Sequence, residues 1–399
     1  MVVTGAAGYV GSHLVRLLAE KGARVIALDD FSEGHHQALP SDVELFEGDV
    51  REPDVVTRIF AAHQVDAVVH LAARCGSSES LQNPEKYYSN NLSGTLTVLR
   101  GAVDFDVRRF LFASDAVVYG RPRTPVVSET VTPAPLSPYA RSKALVEALL
   151  PDYWRAYGLQ TVALRLFTVA GAFPEAGVGE SHRIERHLVP SVFKVALGQK
   201  ESLAVHGTDL PTSDGTAVRD YVHVRDVCRA FSAALEAPVD EPTTLNIGSG
   251  RGHSVMEVLK EAEKVTGAKI KWEAGPRLPL EPHRLVADID AASQRLDWHP
   301  EHSDLPQILS DGWAWQKEHP HGYVAEQKDA RRLFGRTLLE LGIATPGQLK
   351  EALRLQKEQD ARGEHKLLGV VMLEAGMITP GELIRALREL QKRGVEEGG

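Results

Sequence analysis

Tyr139 and Lys143 stand four residues apart in the run Ser137-Pro138-Tyr139-Ala140-Arg141-Ser142-Lys143. On a helix, positions i and i+4 share one face, a turn apart. A phenol beside an ammonium suits proton transfer to and from an alcohol. The cation favours the phenolate, so the tyrosine is expected to act as a base below its ordinary pKa of about 10. The spacing alone recurs by chance on exposed helix faces. What gives it weight is a glycine run at the N-terminus, Thr4-Gly5-Ala6-Ala7-Gly8-Tyr9-Val10-Gly11. Gly5, Gly8 and Gly11 permit a tight turn and close backbone approach. A strand before them and a helix after them would aim N–H groups and a helix N-terminus at a pyrophosphate. The next apolar segment ends in Asp29 and Asp30. A carboxylate there bonds the adenosine ribose hydroxyls and repels a 2′-phosphate, which favours NAD over NADP.

The elements that position these groups follow from the apolar pattern. Residues 1–4, 24–28, 43–47, 67–70, 109–113 and 161–165 read as short buried strands, and 10–19 as a helix. Alternating strands and helices predict an α/β doubly wound parallel sheet, the Rossmann arrangement. The strand ends then supply further cofactor contacts: Asp49 and Val50 on the adenine side, and Leu71, Ala72 and Ala73 where small residues admit a ligand. The segment 109–113 leads into Ser114 and Asp115.

With 399 residues, two or more domains are expected. Apolar content of 43% and charged content of 25% are those of a soluble globular protein. The net charge of −9 argues against a nucleic-acid partner. Two cysteines, Cys75 and Cys228, make neither a disulfide framework nor a metal cluster. No apolar run is long enough to span a membrane, and the expected location is the cytoplasm.

Several segments resemble the extended short-chain dehydrogenase/reductase family and, within it, the UDP-glucose (UDP-galactose) 4-epimerases. They are Tyr87-Tyr88-Ser89-Asn90-Asn91-Leu92-Ser93-Gly94-Thr95, the Tyr139/Lys143 run, Asp214-Gly215-Thr216-Ala217-Val218-Arg219-Asp220-Tyr221-Val222-His223-Val224 and Leu245-Asn246-Ile247-Gly248-Ser249-Gly250. The likeness covers residues 1–323, as a Rossmann core with a smaller α/β lobe, mainly 170–215 and 246–323. It implies NAD held by the glycine run (Gly5, Gly8, Tyr9, Val10, Gly11), Asp29, Asp30, Asp49, Val50, 71–73, Asn90, Tyr139 and Lys143. It implies Tyr139 as acid and base at the sugar C4 hydroxyl, with Lys143 on the nicotinamide ribose. It places the UDP-sugar against Asn91, Thr168, His187, Leu188, Arg219, Arg277 and Glu281, with Arg219 on the phosphates. It also implies a homodimer packed through helices near 88–103 and 139–157.

Four positions depart from the family pattern: Asp115 replaces a Ser or Thr, Cys75 a lysine, and Thr168 and His187 each an asparagine. A hydroxyl both donates and accepts, whereas an ionised carboxylate only accepts and would raise the pKa of Tyr139. Ser114 is one residue early, and a one-residue step along a strand turns a side chain to the other face. The alternative readings are another nucleotide-sugar epimerase or dehydratase of the family, or an attenuated NAD-binding protein that uses its tail to dock or to sense a second messenger.

Residues 324–399 form an added all-α helical domain with an internal repeat. The run 335–349 matches 369–383 at an offset of 34 residues. Gly342 and Gly376 suit helix C-caps, Thr345 and Thr379 N-caps, and Pro346 and Pro380 first helical positions. Each helical pair cannot bury its apolar face alone, so a four-helix unit is expected. This tail resembles the N-terminal domain of type II secretion and pilus ATPases, some of which bind cyclic di-GMP. The motif arginine falls on Leu333 and Leu367; its glutamine is kept at Gln356 but is Leu390 in the second copy. Protein docking is the expected role, with cyclic di-GMP the weaker reading.

Overall fold

The computed structural model describes residues 1–182, 185–278, 280, 282–323, 327–361 and 366–396. Six strands come first: β1 (Val2–Thr4), β2 (Ile26–Asp29), β3 (Glu44–Glu47), β4 (Ala67–His70), β5 (Arg109–Asp115) and β6 (Gln160–Leu166). Then come β7 (Thr168–Ala170), β8 (Leu203–His206), β9 (Val218–His223), β10 (Thr243–Ile247), β11 (Gly252–Ser254), β12 (Trp272–Gly275) and β13 (Arg284–Leu285). A seven-stranded sheet runs β10-β6-β5-β4-β1-β2-β3, and each of its pairings is parallel. Central strands such as β4 are buried along their whole length, as expected when helices cover both faces. Strand order reverses between β1 and β4, and ligands of such sheets bind in the crevice beyond the carboxyl ends at that point.

The smaller lobe carries a sheet of β11-β9-β13 with β7 on β9, and a two-stranded pair β12-β8. Its core gathers Phe193, Val205, Tyr221, Val258 and Ile308. The sequence does not assign 243–247 to the main sheet; the structure adds it there as β10, at the edge beside β6.

Contacts divide the chain into a larger unit, Met1–His182 with Arg186–Gly322, and a smaller one that is chiefly Tyr323–Gly399. The smaller unit holds helices Gln327–Glu340, Pro346–Ala361, Leu368–Glu374 and Pro380–Glu396. They share one core that includes Phe334, Leu338, Ala352, Leu368, Met372 and Ala386. The expected caps are formed. Gln348 N–H donates to Thr345 Oγ1 at 3.2 Å while Thr345 N–H donates to the Gln348 side chain at 2.9 Å. Thr379 and Glu382 repeat this reciprocal pair. Gly342 and Gly376 take φ of +63° and +66°, the left-handed stop.

Candidate active site

The glycine run forms the turn between β1 and the helix Tyr9–Glu20. Gly5 has φ +67°, and a Cβ there would lie 2.6 Å from the Ala72 nitrogen. A Cβ on Gly11 would lie 2.0 Å from the Gly5 carbonyl oxygen. The turn therefore closes against the end of β4, and the first helical turn carries no side-chain cap. The crevice beyond it is lined by Gly5, Gly8, Asp29, Asp30, Asp49, Val50, Leu71, Ala72, Ala73 and Asn90. Tyr9 reaches away, and its hydroxyl donates to the Gly171 carbonyl at 2.7 Å.

The two aspartates divide their work. Asp29 is buried and accepts from Ala7 N–H at 2.9 Å and Phe31 N–H at 2.8 Å, which clamps the glycine turn to β2. Burial pushes its carboxyl up to about 6, against those two hydrogen bonds. Asp30 pairs with Arg74 at 3.4 Å. Arg74, also in the crevice wall, is a residue the sequence does not single out, because nothing local links position 74 to position 30.

Asn90 and Asn91 lie on a π-helical turn, Tyr88–Ser93, a distortion frequent at functional sites. Asn91 accepts from Arg74 N–H at 2.7 Å and from Asn90, and donates to the Arg74 carbonyl at 3.0 Å and to Ser142 Oγ at 3.1 Å. All four hydrogen-bonding positions of its amide are used. Asn91 thus braces the Arg74 loop onto the tyrosine helix.

The tyrosine helix runs Pro138–Tyr157, with Ser137 Oγ capping Ala140 N–H at 3.1 Å. Tyr139 and Lys143 are both buried on its inner face. Tyr139 Oη donates to Asp115 Oδ2 at 2.6 Å and lies 3.7 Å from Cys75 Sγ. Asp115 Oδ1 accepts from Val117 N–H at 2.9 Å. Lys143 Nζ donates to the Ala113 carbonyl at 2.7 Å and sits over the Phe112 ring at 4.9 Å. The electrostatic balance goes against the lowering expected from Lys143 and with the rise expected from Asp115. Burial, then the charge of Asp115, hold Tyr139 well above its ordinary value. Burial also raises Asp115, opposed by the Tyr139 hydrogen bond.

Ser114 reaches a different residue of the same helix. Its hydroxyl donates to Glu147 Oε1. Glu147 pairs with Arg165 at 2.6 Å, with side chains 7% and 6% exposed. Arg165 Nη1 donates to Tyr119 Oη at 2.8 Å, and Tyr119 donates to Asn246 at 2.7 Å. Glu147 lies on the Tyr139/Lys143 face one turn further on, so the i+4 spacing was the signal that could have found it.

The other expected substrate residues scatter around this centre. Thr168 opens β7 and pairs in register with Tyr221. Arg219 lies on β9, and its Nη1 donates to the Val218 carbonyl at 3.0 Å. Its neighbour Asp220 is wholly buried and accepts from Ser249, Gly250 and Ala287 N–H groups, which ties β9 to the turns after β10 and β13. His187 precedes the helix Leu188–Ala196 and bonds the buried Glu180, which His182 also approaches at 3.3 Å. Arg277 is exposed and engaged with Asp209 at 2.7 Å. Glu281 lies outside the described residues.

Residues 1–248 match the NAD dependent epimerase/dehydratase family. The chain belongs to that family. It is 41% identical over 331 residues to a UDP-glucose 4-epimerase of Halalkalibacterium halodurans, covering 82% of this chain and 99% of the relative. It is 38% identical over 327 residues to a UDP-glucose 4-epimerase of Lacticaseibacillus casei, covering 81% and 98%. Among solved structures, the Bifidobacterium longum UDP-glucose 4-epimerase in complex with NAD+ and UDP superposes with a TM-score of 0.77 at 33% identity, covering 81% of this chain and 99% of that one. The family match ends well short of the helical tail.

Proposed function

We propose that this chain is a UDP-glucose/UDP-galactose 4-epimerase that works with tightly held NAD. The observation that carries the reading is the buried Tyr139/Lys143 pair standing beside a glycine turn into which a Cβ cannot fit. The residues fit the dinucleotide. The backbone of Gly5–Gly11 would take the pyrophosphate, Asp29 or Asp30 the adenosine ribose, Asp49 and Val50 the adenine side, and Lys143 the nicotinamide ribose. When bound, NAD supplies a reversible acceptor for the C4 hydride of the sugar. Tyr139 holds and returns the C4 hydroxyl proton. Arg219 is the phosphate partner suited to a UDP, and Leu188 opens a helix whose N-terminus favours an anion.

The test is incubation with UDP-glucose, UDP-galactose and their N-acetyl forms, with no added cofactor, and chromatographic separation of products. Interconversion at C4 with NAD released on denaturation is expected; no turnover of any of the four overturns the reading.

Homodimerisation belongs to the same proposal. Leu96 and Phe105, in and just after the helix Gly94–Asp104, and Leu145 and Tyr157 on the tyrosine helix are 37%, 38%, 41% and 62% exposed. Apolar side chains gathered on these two helices support a second copy as their cover, and Leu145→Glu is expected to sediment as a monomer. For the tail, a docking module is favoured over cyclic di-GMP binding. Gln356 is buried and donates to the Lys366 carbonyl at 2.5 Å, and the motif-arginine position is the exposed Leu367. Among the described residues no helix is long and apolar enough to cross a membrane.

A further inference from the structure

We propose that the base of this site is the Asp115 carboxylate acting through a neutral Tyr139, so that the tyrosine relays the sugar proton instead of storing it. The inference rests on the 4-epimerase reading. Its geometric basis is the arrangement of acceptors. The Tyr139 phenol points its proton at Asp115 Oδ2, 2.6 Å away; Tyr139 is buried and Asp115 half-buried. Asp115 Oδ1 is already held by Val117 N–H, so Oδ2 is fixed in place to receive that proton. The other titratable groups facing the pair are Lys143 from the same helix, Cys75 beyond β4 and His187 ahead of the next lobe helix. Lys143 favours negative charge on either oxygen, but its ammonium is anchored on the Ala113 carbonyl. A carboxylate is a far stronger acid's conjugate than a phenolate, by about six pKa units in model compounds. With one negative charge to share beside Lys143, it rests on Asp115.

The step balances. The sugar O4–H bond breaks and its proton joins Tyr139 Oη as the phenol's own proton passes to Asp115 Oδ2. The electron pair of the O4–H bond becomes the second C4–O bond, and the C4 hydride leaves to the oxidised nicotinamide dinucleotide. On the return, Asp115 gives its proton back to Tyr139, and Tyr139 gives one to O4. No tyrosinate is needed at any point.

Four chains test this: wild type, Asp115→Asn, Asp115→Thr and Tyr139→Phe. Neither replacement of Asp115 can take a proton, so at pH below the Tyr139 titration kcat is expected to fall about 10²–10⁴-fold, the span of general base catalysis, with UDP affinity unchanged. Both replacements also remove the competing charge. Tyr139 should then titrate as a phenolate near Lys143, and the acid limb of the kcat–pH profile should move to higher pH. Phenolate formation is read independently of turnover, from the ultraviolet difference spectrum against Tyr139→Phe. In wild type this difference should show no phenolate at neutral pH. A Tyr139 phenolate in wild type at neutral pH, or Asp115→Asn within about threefold of wild-type kcat on the acid limb of the profile, overturns the relay. An absence of epimerisation in wild type would instead overturn the functional reading, and the difference spectrum would still decide where the charge resides.

Discussion

Replacing Glu147 by Gln changes almost no volume but removes the counter-charge of Arg165 in a place where water cannot substitute for it. Both side chains are less than a tenth exposed, and three guanidinium–carboxylate contacts of 2.6, 3.0 and 3.2 Å join them. An intact buried pair contributes little net stability, because desolvation offsets attraction. Breaking one by removing a partner costs about 3–5 kcal/mol, since a buried charge is left uncompensated. For a unit of about 320 residues, with an unfolding entropy of about 2.1 cal/mol/K per residue, that is a fall in melting temperature of roughly 4–8 °C. The effect should reach the chemistry, because Glu147 ties the tyrosine helix to β5 through Ser114 and to β6 through Arg165. We therefore expect kcat to drop more than KM rises. The assay is thermal unfolding of the NAD-bound chain, with Glu147→Gln compared to the double change Glu147→Leu/Arg165→Met. The double change removes both charges and should be more stable than the single one. A single change that costs less than about 1 kcal/mol, or a double change that costs the sum of its parts, would refute the argument.

Gly5→Ala puts a Cβ 2.6 Å from the Ala72 nitrogen at φ +67°, and we expect loss of copurified NAD together with about 2–4 kcal/mol of stability, read by cofactor release and urea midpoint. Burial drives His70 down to about 3 and holds it neutral between Thr4 and Thr95. Because this folded value lies below the unfolded one of about 6.5, its stabilising contribution is present above that pH and is lost as pH falls. The loss is about 3 kcal/mol between pH ~6.5 and ~4, partly offset by Asp29, whose raised value works in the opposite direction. In His70→Asn this acid-side slope should flatten by that amount, and an unchanged slope of urea midpoint against pH would contradict a neutral His70. In the tail, Thr345→Ala and Thr379→Ala should each cost about 1 kcal/mol, seen as faster amide exchange in the helices they cap, with epimerisation unaffected.

The parts legible from the sequence are those written in local spacing. The glycine turn, the acidic end of β2 and the Tyr139/Lys143 face each lie within a few residues. The same holds in the tail. Thr345, Pro346 and Gly342 announce a helix stop and start before any partner is known. What escaped depends on contacts between distant segments. Arg74 meets Asp30 across the crevice, Arg165 meets Glu147 across two elements, and Asn91 turns inward to the Arg74 backbone. A sequence shows that these residues are polar, but not which polar group lies opposite. Tyr139 is legible in part. Its spacing to Lys143 predicts a lowered pKa, and that inference is sound for the pair in isolation. The outcome is set first by burial and then by Asp115 from β5, whose charge the sequence already sets against the phenolate. An internal repeat restores long-range information. Gly335 approaches Leu349 and Gly369 approaches Leu383, at 3.1 and 2.8 Å from a hypothetical Cβ. The two contacts sit at one offset in both copies, so each copy reports the packing of the other.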